Sequence, residues 1–248
     1  MRVITIVLES MLWDDLEGIE FPGFSKRHFD PYPATFSARS LWCMQSADPL
    51  PDMDDWHSDK HQVFAEPNRF ISNYAKTRLV SASWPKRYDP KFLDPLGSIP
   101  PNSLWSEWEM EPNCPHWGYF LKFLSGQFYE EGQWLIYWPL AGHAECGRCR
   151  VAEENRGIPR GIKKTATHFA ELVKTHVLPL VRSDTLVLMH TDHGTARRGQ
   201  IGNYWNKGVV YLQQPMDEGV ACWADIRCTI KHALGVTQLP EAGRILCG

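Results

Sequence analysis

Thr191-Asp192-His193-Gly194 sets a carboxylate and an imidazole side by side at the end of an apolar run, Asp184 to His190. Both side chains are metal donors, and a strand over 184–190 would deliver them to the carboxyl edge of a parallel sheet, where ligand crevices form. Neighbouring residues on a strand point to opposite faces, but Gly194 lets the backbone turn so that both can converge. The same four residues also make an ordinary surface turn, so the chemistry needs partners elsewhere in the chain.

Three segments supply candidates. Glu9 follows the β-branched run 2–8, which predicts a first strand ending in a carboxylate. Thr35, in Pro33-Ala34-Thr35-Phe36-Ser37-Ala38-Arg39-Ser40, puts a hydroxyl just before a helix predicted over 35–46, whose free N–H groups favour an anion. His143 closes Leu140-Ala141-Gly142-His143, after a second strand predicted over 133–138. Glu9, Thr35, Asp192 and His193 together form a mixed oxygen and nitrogen donor set suited to Zn²⁺ or Mn²⁺. A metal at the Thr35 hydroxyl would lower its pKa and make it a nucleophile.

Each residue has a plainer reading. Glu9 can cap a turn, and Thr35 can be only a helix N-cap, a position that threonine favours, with Ser37 as the rival hydroxyl. His143 can be an ordinary loop histidine, and Asp14 and Asp15 cap or solvate the segment after the first strand. Arg39 serves either phosphate binding or an ion pair, and Arg197 and Arg198 read first as surface. A separate cluster, Cys146-Gly147-Arg148-Cys149 with Cys114-Pro115-His116 upstream, has the donors for a tetrahedral structural zinc. Its alternative is separate thiols that share a spacing by coincidence.

The elements that must position these groups alternate between strand and helix. Beyond the strands at 2–8, 133–138 and 184–190, a fourth is predicted over 208–212. Helices are predicted over 117–128, over 162–178 with Ala166, Phe169, Leu172 and Val173 on one face, and over 225–234 with Gly235 closing it. That alternation implies an α/β fold, a mostly parallel sheet with helices on both faces. Residues 47–115 carry much of the Pro, Asp and Trp and read as irregular cover with short helices around 67–77. Trp56, Trp105 and Trp108 there, with Trp117 just beyond, would wall a pocket or fill core.

Composition bounds the rest. The 248 residues, 43% of them hydrophobic, suit one large domain over 1–248. A net charge of −3 gives no electrostatic case for nucleic acid or an anionic membrane surface. No apolar run reaches the roughly 18 residues of a membrane span, and the amino terminus lacks a signal-peptide cleavage site. Seven cysteines, an odd number, point to a reducing compartment and a cytoplasmic protein.

Taken in order, these segments resemble the alkaline phosphatase and sulfatase superfamily over nearly the whole chain. The resemblance rests on Glu9 after the first strand, Thr35 opening a helix, Thr191-Asp192-His193-Gly194, Lys207 before the strand Gly208 to Leu212, and Asp225-Ile226-Arg227-Cys228-Thr229-Ile230 in the closing helix. It implies Glu9, Thr35, Asp192 and His193 as metal ligands, Thr35 as nucleophile, and Arg39 and Lys207 as anion contacts. Departures narrow it. A threonine cannot become the sulfatase aldehyde, and Glu9-Ser10 replaces that group's paired aspartates. The Glu, Thr, Asp-His pattern is closest to lipoteichoic acid synthases and phosphoethanolamine transferases. Nucleotide pyrophosphatases and phosphodiesterases add an Asp-x-x-Gly-His motif, of which Pro139 to His143 keeps only Gly-His, so His143 reads as a substrate contact or leaving-group acid. The expected activity is a metal-dependent phosphoric ester hydrolase or phosphotransferase acting on a small-molecule phosphate ester. The alternatives are a two-metal phosphodiesterase or sulfatase-like hydrolase, and a catalytically silent binding protein on the same fold.

Overall fold

Seven consecutive buried residues, Arg2–Leu8, form β1. A strand with no exposed position needs cover on both faces, which is the signature of an interior strand in a parallel sheet. The computed structural model describes residues 1–8, 13–32, 40, 43–46, 71, 74–75, 77–80, 131–138, 167, 170–171, 173–191, 208–240 and 243–247. The other strands are β2 (Ser25–Asp30), β3 (Thr77–Val80), β4 (Gly132–Trp138), β5 (Thr185–Thr191), β6 (Gly208–Leu212) and β7 (Ala221–Cys222). They make one seven-stranded sheet in the order β3-β4-β1-β5-β6-β2-β7.

Strands β3, β4, β1 and β5 are parallel neighbours, β6 is antiparallel to both β5 and β2, and β2 is parallel to β7. Among the described strands only β6 runs against the rest. The sheet is therefore mostly parallel, as the alternation of elements predicts. The amino ends of β1 and β5 are joined by Arg2, whose Nη1 donates to Asp184 Oδ1 at 2.7 Å. Asp184 is half exposed, so that pair adds well under 1 kcal/mol.

The four strands predicted from pattern are all present, and three more join them. β2 reads Ser-Lys-Arg-His-Phe-Asp, with Phe29 as its one buried residue, so it shows no apolar alternation. Its strand state comes from its neighbours, with Ser25 to Phe29 paired to Leu212 to Gly208 of β6. β3 and β7 are four and two residues long, too short for a period to register, and β3 falls beside the region read as short helices.

The helix α1 (Trp223–Leu234) starts at Trp223 rather than Asp225, and Gly235 closes it at φ 71°. The left-handed turn suits glycine and brings its N–H to His232 O at 3.0 Å. The chain then folds back over α1. Lys231 Nζ donates to Leu239 O at 2.7 Å, Arg244 N–H to Asp225 Oδ1 at 2.9 Å, and Leu246 N–H to Thr229 Oγ1 at 2.9 Å. A Cβ on Gly243 would collide with the backbone of Ala224 and Asp225, so the return passes in direct backbone contact.

Of the other predicted helices, Ser40 and Cys43–Gln45 are helical within 35–46, and Thr167, Ala170 and Glu171 within 162–178. The latter stretch ends in a π-helical turn, Val173–Val177, and a 3-10 turn, Leu178–Leu180. The helix predicted over 117–128 and nearly all of the 47–115 cover lie outside the described residues. Val3, Val7, Leu188, Val210, Leu212, Ile226 and Ile230 pack into one core shared by β1, β5, β6 and α1. Among the described residues no helix is long and apolar enough to cross a membrane.

Candidate functional site

Three parallel strands end level with one another. Leu8, the last residue of β1, pairs with Thr191 of β5 on one side and with Trp138 of β4 on the other. In the sequence Glu9 follows Leu8, Asp192-His193 follow Thr191, and His143 lies five residues past Trp138. The register of the sheet thus puts the departure points of three candidate segments at a single carboxyl edge. Glu9, Thr35, Arg39, His143, Asp192, His193 and Lys207 themselves lie outside the described residues, as do Cys114, His116, Cys146 and Cys149. Among the described residues no group of three or more His, Cys, Asp or Glu side chains is placed to hold a metal.

The described residues Cys43 to Ser46, after Thr35, are anchored to β4, α1 and β5. Gln45 Nε2 donates to Gln133 Oε1 of β4 at 3.2 Å, and Gln133 Nε2 donates to Thr5 Oγ1 of β1 at 3.2 Å. All three side chains are buried, where a polar chain fixes one arrangement and a broken bond is costly, and Gln45 Oε1 itself is buried without a hydrogen-bond partner among the described residues. Arg227 of α1 donates through Nη1 to Cys43 O at 2.9 Å and to Ser46 O at 2.8 Å. A cation there meets the carbonyls that a helix leaves unpaired at its carboxyl end. Met44 Sδ lies 3.3 Å from Nε2 of His190 in β5.

His190 is fully buried, with Phe29 and Trp223 rings edge-on at 5.7 and 5.4 Å. Its Nδ1 is 2.8 Å from the Thr191 carbonyl oxygen. A carbonyl only accepts, so Nδ1 carries the proton. On the other side of Thr191, Oγ1 accepts the Val209 N–H at 3.1 Å. The residue before Asp192 is therefore held through both its side chain and its carbonyl.

Lys26 and Tyr211, whose pKa values are displaced, lie away from the carboxyl ends of β1, β4 and β5. They sit where β2 begins and β6 ends, at the sheet's other edge. Burial pushes the Tyr211 phenol up and the Lys26 amine down, the latter opposed by Glu20 and Glu17. Cys222 ends β7 at the carboxyl edge, but burial raises its thiol above the usual value, so it is no activated thiolate.

Sequence reasoning named donors and overlooked their supports. Gln133 and Gln45 carry no motif, Arg227 and Gly208 fall in segments read only for the fold, and the partners of all four depend on which elements are neighbours. One signal was available: a glutamine inside an apolar strand, Gln133, and a threonine inside another, Thr5, both ask for a buried polar partner.

The fold has solved counterparts. The lipoteichoic acid synthase LtaP from Listeria monocytogenes superposes with a TM-score of 0.58 at 14% identity, over 100% of this chain and 74% of that one. The C-terminal periplasmic domain of EptC from Escherichia coli, solved as a complex with Zn, gives 0.52 at 10% identity over 94% and 82%. The phosphoglycerol transferase GacH from Streptococcus pyogenes, solved with sn-glycerol-1-phosphate, gives 0.53 at 9% identity over 94% and 74%. No family model matches the sequence, and no curated protein matches it. The chain has the α/β fold of the alkaline phosphatase and sulfatase superfamily, with lipoteichoic acid synthase and EptC among its structural neighbours.

Proposed function

We propose that the protein is a metal-dependent phosphoric ester hydrolase or phosphotransferase with Thr35 as its nucleophile. The observation that carries this reading is the register of β1 and β5, which end at the paired residues Leu8 and Thr191, one position before Glu9 and Asp192. Neighbours that act as a phosphoglycerol transferase and a lipoteichoic acid synthase support phosphate ester chemistry for this fold.

The donor set fits a divalent ion. Two carboxylates, an imidazole and a hydroxyl match Zn²⁺ or Mn²⁺, and the EptC neighbour was solved with zinc. Glu9, Thr35, Asp192 and His193 would hold it. When bound, the ion lowers the hydroxyl pKa and offsets charge on the phosphoryl oxygens. Thr35, having given its hydroxyl proton to solvent, forms a bond from Oγ1 to phosphorus as the ester oxygen departs, His143 donates the proton that oxygen needs, and Arg39 and Lys207 hold the phosphoryl oxygens. Water or an acceptor alcohol then attacks the phosphothreonine, releasing phosphate or a new ester and restoring the hydroxyl.

The test is Thr35→Ala, assayed on aryl phosphate mono- and diesters and on an aryl sulfate. We expect turnover to vanish with folding and metal content retained, and phosphate esters to be preferred over sulfate. Wild-type turnover in Thr35→Ala would move the role to Ser37 or to water. Efficient aryl sulfate cleavage would overturn the substrate class.

A further inference from the structure

The hydrogen-bond ladder between β5 and β6 runs Leu188↔Leu212, Met189↔Tyr211, His190↔Val210, and the paired positions end there. One step further, the Val209 N–H goes to the Thr191 side chain at 3.1 Å instead of to a strand carbonyl. The Thr191 carbonyl turns to His190 Nδ1 at 2.8 Å. A side-chain hydroxyl has thus replaced a backbone acceptor, and the two strands part at the point where the chain leaves for Asp192. Gly208, the first residue of β6, is closed in by the same contact. A Cβ there would lie 2.6 Å from Thr191 Oγ1, 2.8 Å from Phe29 O and 2.9 Å from Phe29 Cδ1. Only a glycine lets β6 approach Thr191 and β2 together.

We propose that Thr191 and Gly208 form a clamp that positions the Asp192-His193 ligand pair relative to Lys207. Thr191 directly precedes the former and Gly208 directly follows the latter. The Oγ1 bond spans the gap between the two departure points, and His190 holds the Thr191 carbonyl. Valine matches threonine in shape but offers no acceptor, so Thr191→Val removes the clamp at little change in volume, whereas Thr191→Ser keeps the oxygen. The clamp's role in catalysis rests on the function proposed above; its existence does not.

The experiment compares wild type, Thr191→Ser and Thr191→Val by amide hydrogen exchange at Val209, by Zn²⁺ and Mn²⁺ affinity, and by aryl phosphate kinetics. In Thr191→Val we expect faster exchange at Val209, metal affinity lower by about 10–100-fold, the range for lost outer support of metal ligands, and kcat reduced. Thr191→Ser should restore all three, with a melting temperature near wild type. Unchanged Val209 exchange in Thr191→Val overturns the clamp. Faster exchange with unaltered affinity and kcat overturns its positioning role. Should Thr191→Val fail to fold, metal added to wild type must slow exchange at Val209, and no change there overturns the proposal. A wild type that neither binds metal nor cleaves phosphate esters refutes the proposed function and, with it, the positioning role, while Val209 exchange still judges the clamp.

Discussion

Tyr211 and Lys26 show how single residues set the pH response. The Tyr211 hydroxyl donates to Ile19 O at 3.0 Å, and the Lys26 amine donates to Leu16 O at 2.8 Å while lying 4.5 Å above the Trp13 ring. Burial raises the phenol from its ordinary 10.0, so above that pH the unfolded chain loses a proton that the folded chain keeps. The folded state then binds more protons, and stability falls as pH rises. Lys26 is lowered from 10.5, so the folded state binds fewer protons just below that value, and its contribution rises with pH until 10.5. Tyr211→Phe should cost about 1 kcal/mol at neutral pH for the lost hydrogen bond. It should also flatten the alkaline decline, measured by urea unfolding at about pH 8 and about pH 11. An equally steep decline in the variant would show that another group controls it. At this scale the sequence reveals chemistry and hides support. Thr191 is readable as part of a motif, but the fact that its hydroxyl takes the Val209 N–H depends on β6 lying beside β5, which no local pattern encodes.

Arg227 acts between elements. From α1 it reaches two carbonyls at the end of the helical stretch that follows Thr35, Cys43 O and Ser46 O. Arg227→Met keeps most of the apolar stem and removes both donors. Hydrogen bonds from a charged donor contribute roughly 1.5–3 kcal/mol, and since Arg227 is partly exposed the expected loss is near the low end, about 2 kcal/mol. Urea unfolding measures it, and activity should fall further than stability accounts for, because the anchored stretch follows Thr35, the proposed nucleophile, in the chain. A loss below about 0.5 kcal/mol, typical of an ordinary surface change, would remove Arg227 from the scaffold. The same scale shows what was legible. β1, β4, β5 and β6 were readable because each is an apolar run bounded by breaks, and α1 because Gly235 marks its end. β2 was not, since an edge-side strand with one buried residue has no period to detect, and its pairing with β6 is a tertiary decision.

Across the whole molecule, the proposed ligands come from segments far apart in sequence, near residues 9, 35 and 192. Only the folded sheet brings the ends of β1 and β5 level, so an ion held there binds the native state and not the unfolded chain. Such binding stabilises by RT ln(1 + [L]/Kd), about 2.7 kcal/mol at a hundredfold excess over Kd. For a chain of this size 1 kcal/mol moves the melting temperature by roughly 2–4 °C, so chelated protein given excess Zn²⁺ or Mn²⁺ should melt about 5–10 °C higher. The competing source of such a shift is the Cys114, His116, Cys146 and Cys149 cluster, and two variants separate them. Asp192→Asn should abolish the shift if the ion sits at the β5 end, while Cys146→Ser should leave it intact. The reverse pattern, with the shift surviving in Asp192→Asn and lost in Cys146→Ser, would assign the zinc to the cysteines and leave the strand ends without a metal role. If both variants lose part of the shift, two ions bind, and elemental analysis should then count two per chain in wild type and one in each variant.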